Sequence, residues 1–223
     1  MNRRFLPIMG IGILFFLLSG KKVGKMIRKE DVEKIKNYGK RNYNLAFDKP
    51  TLVGIRGALP DENGILRRNS NSINKWNDSL IVITKTNSYF FLGTIDPGRF
   101  YVESPMNSEG TAQLQPGLYE FTKGFHGFSK YGNKYPSFVP YSNLLIKRDG
   151  NKDSIWNHLD KNFTGKFGIN IHAQFTEGEV EKNSAGCTVV KAKWNSPTWK
   201  QFYDLLKNEV KFKYMVVDGA EIV

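Results

Sequence analysis

The stretch GINIHAQFTEGEVEKNSAGCTVV, residues 168–190, contains His172, one of three histidines, and Cys187, the only cysteine of the chain. Polar and apolar residues alternate along its first part, which is typical of a β-strand over 168–175. The apolar positions 169, 171 and 173 would pack inward. The opposite face, which is predicted to open toward a cleft or solvent, carries Gly168, Asn170, His172 and Gln174.

Cys187 begins a second apolar run at 187–191, and periodicity predicts a strand hairpin in which the connection 176–186 returns it to His172. A thiol needs a base within hydrogen-bond reach to become a nucleophile. Gly186 permits a tight turn with positive φ, and Ser184 would either hydrogen-bond the imidazole or fix that turn. A buried structural cysteine is the alternative, since free cysteine is among the most buried residue types.

Outside this stretch, turn signals such as PDENG (60–64), DPG (96–98) and QPG (115–117) separate short runs of β-branched and aromatic residues. The predicted strands are 51–55, 80–84, 89–95, 118–121, 142–147, 168–175, 187–191 and 212–217. One late helix is expected, with Ser196 as N-cap, Pro197 in the first turn, and apolar residues through Val210 at helical spacing. The fold class is therefore mainly β (α+β), a sandwich or barrel with a C-terminal helix.

The N-terminus predicts a membrane segment, because residues 5–20 are uncharged and flanked by arginine and lysine. An uncleaved signal anchor is preferred. A cleaved signal peptide and a cytoplasmic amphipathic or buried helix stay open. Residues 21–49 would form a basic linker or short helix, and residues 50–223 one domain. The formal charge of +12 favours anionic partners: nucleic acid, anionic lipid or an acidic cell-wall polymer. A single cysteine excludes an intrachain disulfide.

The His172 strand followed by the S-x-G-C segment 184–187 resembles the L,D-transpeptidase catalytic domain family (YkuD-type). Together with GTIDPGRFYVESPMNSEGTAQLQPGLYEF (93–121), it is similar to a divergent phage and cell-envelope branch, over about residues 50–218. The chain has Ala185 where that family has histidine. It has Thr188, Val189 and Val190 where the family has a polar arginine or asparagine.

The resemblance implies acyl transfer on peptidoglycan stem peptides. Cys187 would be the nucleophile and His172 the general base and then acid, with the Ala173 carbonyl orienting the imidazole. The backbone N–H groups of Gly186 and Cys187 would form an oxyanion hole, and Ser184 would complete the catalytic set. The residues expected to bind substrate are His126, Asn170 and Ala185. An amine acceptor gives a crosslink, and water gives a carboxypeptidase or endopeptidase.

The same resemblance implies an extracytoplasmic domain in the cell envelope, anchored through residues 5–20, or a virion-associated protein. Peptidoglycan is the expected partner, and neither a cofactor nor nucleic acid is expected. A noncatalytic envelope or virion protein on the same fold, binding the wall or serving as structure, is the alternative.

Residues 149–160 carry a calcium-loop spacing, with Asp149, Asn151, Asp153 and Asp160 at loop positions 1, 3, 5 and 12. Ser154 stands where such a loop has glycine, and an Asp/Asn turn is the alternative. A zinc peptidase is excluded because the chain has no H-E-x-x-H motif.

Overall fold

The computed structural model describes residues 27–127 and 134–223. In chain order the helices and strands are α1 Lys29–Tyr43, β1 Thr51–Arg56, β2 Ala58–Pro60, β3 Leu66–Arg68, β4 Asp78–Ile83, β5 Ser88–Thr94, α2 Arg99–Glu103, β6 Thr111–Leu114, β7 Gly117–His126, β8 Tyr135–Pro140, β9 Leu144–Asp149, β10 Lys161–Gly165, β11 Ile171–Gln174, β12 Thr188–Lys193, α3 Pro197–Leu206 and β13 Phe212–Asp218. The mainly β prediction is confirmed.

Eight strands close into a barrel in the order β1, β13, β7, β8, β11, β12, β5 and β4, with β4 pairing back to β1. Two of these pairs are parallel, β1 with β13 and β11 with β12, and the others are antiparallel. Closure leaves no free strand edge in the barrel. Each barrel strand therefore has a neighbour on both sides for its backbone N–H and C=O groups.

Strands β1 and β4 are buried along their whole length because both of their faces are covered. Leu52 and Leu80 point into the barrel core, whereas Val53 and Ile81 belong to a second apolar cluster outside it. Successive side chains of a strand point to opposite faces of the sheet, so neighbouring residues belong to different clusters. The sequence of these strands accordingly shows continuous apolar runs.

Helix α1 covers the outer cluster. Its buried positions Val32, Ile35 and Gly39 are spaced by three and four residues, and Ile35 is fully buried. Gly39 admits the Phe47 ring, since a Cβ there would lie 2.9 Å from it. The helix ends at Asn44, which adopts the left-handed conformation with φ 51°. From Ile27 onward, the segment predicted to be a linker or short helix packs on the barrel.

Helix α3 begins as predicted, with the Trp199 N–H donating to Ser196 Oγ at 3.2 Å and Pro197 in the first turn. It buries Trp199, Phe202 and Leu206 against the barrel core. The helix ends at Leu206, so Val210 lies in the connection to β13 and is exposed. The predicted extension to residue 210 is wrong.

A second sheet of three strands, in the order β10, β9 and β6, lies outside the barrel. Ala112 on β6 pairs with Arg148 on β9. Neither β6 nor β10 was predicted, and neither were β2, β3 and β8. Four of these five strands have only three to five residues, too few for a period-2 pattern to stand out.

Strands β11 and β12 do not form the predicted hairpin, because they pair in parallel. Ile171 is the register partner of Thr188, and His172 that of Val189. The chain leaves the end of β11 and returns to the start of β12 through a connection containing the 3-10 turn Glu181–Asn183. A parallel pair needs such a crossover rather than a tight turn. It places Cys187 beside Asn170, at the start of both strands.

No helix within the two described stretches is long and apolar enough to cross a membrane. The predicted anchor at 5–20 lies outside the described residues.

The packing of α1 predicts that it belongs to the cooperative unit of the barrel. Ile35→Ala should lower the free energy of unfolding by about 2–5 kcal/mol, because it leaves a cavity in a fully buried site. The measurement is urea denaturation of the full chain. Lys40→Ala, on the exposed face of the same helix, should change it by less than about 0.5 kcal/mol. Equal effects of the two changes would contradict this packing.

Candidate functional site

Three predicted side chains meet at one end of the barrel. His172 lies on β11, Cys187 just before β12, and His126 at the end of β7. One potential ligand atom from each, a ring nitrogen or the sulfur, lies within 4.8 Å of the others. The structure therefore brings the predicted thiol and imidazole together and adds a second imidazole.

The His172 imidazole has a fixed tautomer. Its Nδ1 lies 2.7 Å from the Ala173 carbonyl oxygen, which only accepts, so Nδ1 carries the proton. The lone pair is left on Nε2, which is buried and has no hydrogen-bond partner within the described residues. This orientation by a backbone carbonyl is the one that the resemblance implies.

His172 does not open toward a cleft or solvent, contrary to the sequence prediction, since its side chain is fully buried. Aromatic rings cover it. The His126 ring is stacked on it at 3.9 Å between centroids, the Trp194 ring lies parallel to it at 5.7 Å, and Phe175 lies 5.8 Å away. Burial above all, and then the neighbouring His126, lower the pKa of His172 to about 3, against the opposing hydrogen bond to Ala173. The imidazole is therefore neutral at physiological pH.

The Cys187 thiol is also neutral. Burial raises the pKa of Cys187 to about 11, and the hydrogen bond from the Asn170 N–H to Sγ, at 3.4 Å, opposes this shift. The thiol itself donates to the Gly168 carbonyl at 3.6 Å. The resting pair is thus a thiol beside a neutral imidazole, not a thiolate–imidazolium ion pair.

Ser184 fixes the turn before Cys187 and makes no hydrogen bond to the imidazole in the described structure. Its hydroxyl donates to the Cys187 carbonyl at 2.8 Å and accepts the Gly186 N–H at 3.2 Å. Of the two N–H groups expected in an oxyanion hole, that of Gly186 is therefore engaged. The Cys187 N–H has no acceptor among the described residues.

Gly186 allows this turn to lie against the three-stranded sheet. Its φ is +117°, and a Cβ there would lie 2.5 Å from the Ala112 carbonyl oxygen on β6. Both the backbone conformation and the close contact require glycine. The contact holds Cys187 between the barrel and the second sheet.

A cleft of about 290 Å³ opens at Cys187 between the three-stranded sheet and the segments that lead into β11 and β12. Ala185 lines it, as the resemblance implies for a substrate-binding position, and so does Arg148 from β9. Arg148 is the only charged side chain among the described residues that line the cleft. Arg148 was not predicted as a site residue, because it lies between the predicted strand 142–147 and the predicted loop 149–160.

Asn170 and His126 support the pair from the barrel side. The Asn170 amide nitrogen lies 3.0 Å from His126 Nδ1, and the Asn170 backbone N–H reaches Cys187 Sγ. Burial lowers the pKa of His126, so it too is neutral at physiological pH. A second imidazole is thus present at the site, supplied by β7 rather than by position 185.

The group His126, His172 and Cys187 has ligand types that suit zinc, but its ring geometry does not. An imidazole binds a metal with an in-plane lone pair. The two rings are stacked 3.9 Å apart with 19° between their planes, so one ion cannot lie in both planes. His126 Nδ1 is also occupied by Asn170.

The predicted calcium ligands serve to hold a turn. Asp149 accepts the backbone N–H groups of Asp153 and Ser154, and Asp160 accepts those of Gly150 and Asn157. The carboxylate oxygens are satisfied by the protein itself, and Ser154 adopts a positive φ of 67°. The geometry supports the Asp/Asn turn.

The connection between β11 and β12 is held by residues that sequence reasoning missed. Asn183 accepts the N–H groups of Phe175 and Thr176, and Asn74 accepts that of Glu181. The Gly98 N–H donates to the Ser184 carbonyl at 2.9 Å. Asparagine is common in turns, and nothing in the sequence separates these from other asparagines.

The turn containing Gly98 is itself fixed by a buried ion pair. Arg56 Nε lies 2.8 Å from Asp96 Oδ1, and Gln113 donates to the same oxygen at 2.9 Å. Arg56 also pairs with Asp218 at the end of β13. Arg56 on β1 thereby holds the turn of Asp96 and Gly98, and the Gly98 N–H in turn binds the segment that carries Cys187.

Comparison with protein-family models, with curated proteins and with solved structures yields no match to this chain.

The turn geometry predicts that Gly186→Ala lowers the free energy of unfolding by more than backbone strain alone would. Gly178 also has a positive φ, of +94°, but a Cβ added there would have no neighbouring atom within 4 Å. Gly178→Ala should therefore lose about 1–2 kcal/mol of unfolding free energy from strain. Gly186→Ala should lose more, because the Ala112 carbonyl must also move. Urea denaturation of both variants measures the difference, and equal losses would contradict the contact.

The raised pKa of Cys187 predicts slow alkylation of the folded protein by iodoacetamide at pH 7. A pKa of about 11 against the reference value of 9.0 lowers the thiolate fraction about a hundredfold. The stronger nucleophilicity of a more basic thiolate recovers roughly a factor of ten. The rate should rise about tenfold per pH unit until near pH 11. Urea-unfolded protein is the control, and its rate should level off near the reference pKa of 9.0. A plateau below pH 9 for folded protein would contradict a neutral resting thiol.

Proposed function

We propose that the protein is a cysteine-dependent acyltransferase of L,D-transpeptidase type that acts on peptidoglycan stem peptides. The observation that carries the proposal is the position of Cys187 Sγ within 4.8 Å of a ring nitrogen of His172, a buried imidazole whose free lone pair lies on Nε2. A nucleophile, a base and a group that orients the base are the parts that thiol acyl transfer needs. His172 is the base, and the Ala173 carbonyl orients it.

The neutral resting pair favours proton transfer during attack rather than a preformed thiolate. The thiol turns from the Gly168 carbonyl toward Nε2 of His172. Sγ then bonds to the substrate carbonyl carbon as its proton passes to Nε2. The Cys187 N–H is the donor available to the oxyanion in this arrangement.

Collapse of this intermediate breaks the carbon–nitrogen bond, and the proton on His172 passes to the departing amine. The result is a thioester on Cys187 and a neutral imidazole. An acceptor amine that attacks the thioester gives a crosslinked product, and water gives a carboxypeptidase or endopeptidase product. In either case His172 accepts a proton from the attacking group and returns it to the leaving sulfur.

Two further features support a peptide donor. The cleft beside Cys187 has a volume of about 290 Å³ and is lined by Arg148 of β9 and by Ala185 of the turn before β12, among others. The strongly basic chain, with a formal charge of +12, suits an acidic wall polymer. We place the domain on the extracytoplasmic side of the membrane, anchored through residues 5–20, or on a virion.

A second candidate is a noncatalytic envelope or virion protein on the same fold. The observation that favours it is the burial of both groups: His172 is fully buried, and the pKa of Cys187 is about 11. A wall-binding or structural protein needs the packing of the site but not its thiol chemistry. The two candidates differ in whether Cys187 becomes acylated.

The acyltransferase proposal predicts a covalent adduct. Full-length protein incubated with a carbapenem, or with a tetrapeptide stem donor, should gain the mass of one acyl group on Cys187 in intact-protein mass spectrometry. Cys187→Ala should gain none. Muropeptide analysis of cells producing the two forms should then show new crosslinks or trimmed stems only with the wild type.

The control for folding is the thermal melting curve of both proteins. A folded wild type that forms no adduct with either donor would overturn the acyltransferase proposal and leave the noncatalytic candidate.

A further inference from the structure

Arg148 carries a charge that the described structure does not neutralise. Its guanidinium is partly buried, donates from Nη1 to the Gly110 carbonyl at 2.8 Å, and lies 5.8 Å from the centre of the Phe163 ring. Within residues 27–127 and 134–223 no carboxylate forms an ion pair with it. The acidic neighbour whose field reaches it, Glu109, is itself paired with Lys161 at 3.7 Å.

A more deeply buried arginine of the barrel shows how carboxylates compensate such a charge. Arg56 is almost fully buried, and two carboxylates, Asp96 and Asp218, lie within 2.9 Å of its nitrogens. Burial of an unpaired charge is costly, and proteins normally compensate it with a partner. Partial burial holds the pKa of Arg148 below its usual value, against the opposing charge of Glu109.

The position of Arg148 shows where an anionic partner could bind. Both Arg148 and Cys187 line the same cleft, and no other charged side chain of the described chain lines it. The pairing of Ala112 with Arg148 across β6 and β9, and the contact of Gly186 with Ala112, tie the backbone at Arg148 to the cysteine turn. An anion bound to Arg148 would therefore lie in the cleft that also contains the thiol.

We infer that Arg148 is a specificity-determining residue that binds a carboxylate of the acyl donor while the donor carbonyl lies at Cys187. The inference deepens the proposed function and rests on it for the identity of the donor. Guanidinium groups bind carboxylates through two parallel N–H···O hydrogen bonds, and Nη1 already anchored on Gly110 reduces the ordering cost. The site selects donors with a free carboxylate near the scissile bond over their amides.

The first test needs no substrate. Iodoacetate and iodoacetamide alkylate the same thiolate and differ in a carboxylate against an amide, so their rate ratio at one pH cancels the thiolate fraction. Normalised to glutathione, the ratio for wild-type Cys187 should favour iodoacetate by about threefold to tenfold at low ionic strength. The reason is that the Arg148 guanidinium attracts the carboxylate of iodoacetate but not the neutral amide of iodoacetamide. Arg148→Gln should abolish the preference, and Arg148→Lys should keep part of it.

The matched control is Arg67→Gln. Arg67 is an exposed arginine paired with Asp61 on the two-stranded sheet β2–β3, so this change removes the same charge elsewhere. It should leave the ratio unchanged. A wild-type ratio equal to that of glutathione, or the same loss in both glutamine variants, would overturn the inference.

The second test uses donors. With wild type, a stem peptide with a free carboxylate beside the scissile bond should acylate Cys187 with a higher kcat/KM than its amide, mainly through KM. Arg148→Gln should remove most of the difference. If neither donor acylates but the iodoacetate preference depends on Arg148, the proposed function fails and the anion site stands. If both donors acylate equally, the anion site fails and the proposed function stands.

Discussion

The parallel pairing of β11 with β12 places the residues that precede the two strands side by side, and the site depends on this placement. In the register Ile171 with Thr188, Cys187 lies against Asn170, whose backbone N–H reaches Sγ. An antiparallel hairpin would have put Cys187 at the far end of β11. The crossover that parallel strands require is therefore part of how the thiol and imidazole meet.

Two contacts hold that crossover in place. On one side, Gly186 lies against the Ala112 carbonyl of the second sheet. On the other, the buried pair of Arg56 and Asp96 fixes the turn whose Gly98 N–H binds the Ser184 carbonyl. The cysteine turn is thus clamped between the barrel and the second sheet. In the proposed acyl transfer, a nucleophile held this way would reach its substrate without a large ordering cost.

Burial sets the chemistry of the pair. The aromatic rings around His172 remove water from the imidazole, and burial of Cys187 keeps the thiol protonated. Two neutral groups cost less to bury than an ion pair without further partners. The one charge at this end of the barrel that stays unpaired in the described structure and lines the cleft is that of Arg148. Its position suggests that charge complementarity is completed by the ligand rather than by the protein.

The sequence alone determined the elements that depend on neighbours along the chain. The mainly β class, the start of α3 at Ser196 and Pro197, and the positive φ at Gly186 all follow from local rules of periodicity, capping and backbone freedom. Tertiary structure decided the rest. Alternation has the same period in parallel and antiparallel strands, so it could not tell the crossover from a hairpin. Nor could it show that rings from β7 and residue 194 cover His172, or that β9 brings Arg148 to Cys187. These contacts join residues far apart in the chain, and only closure of the barrel and packing of the second sheet bring them together.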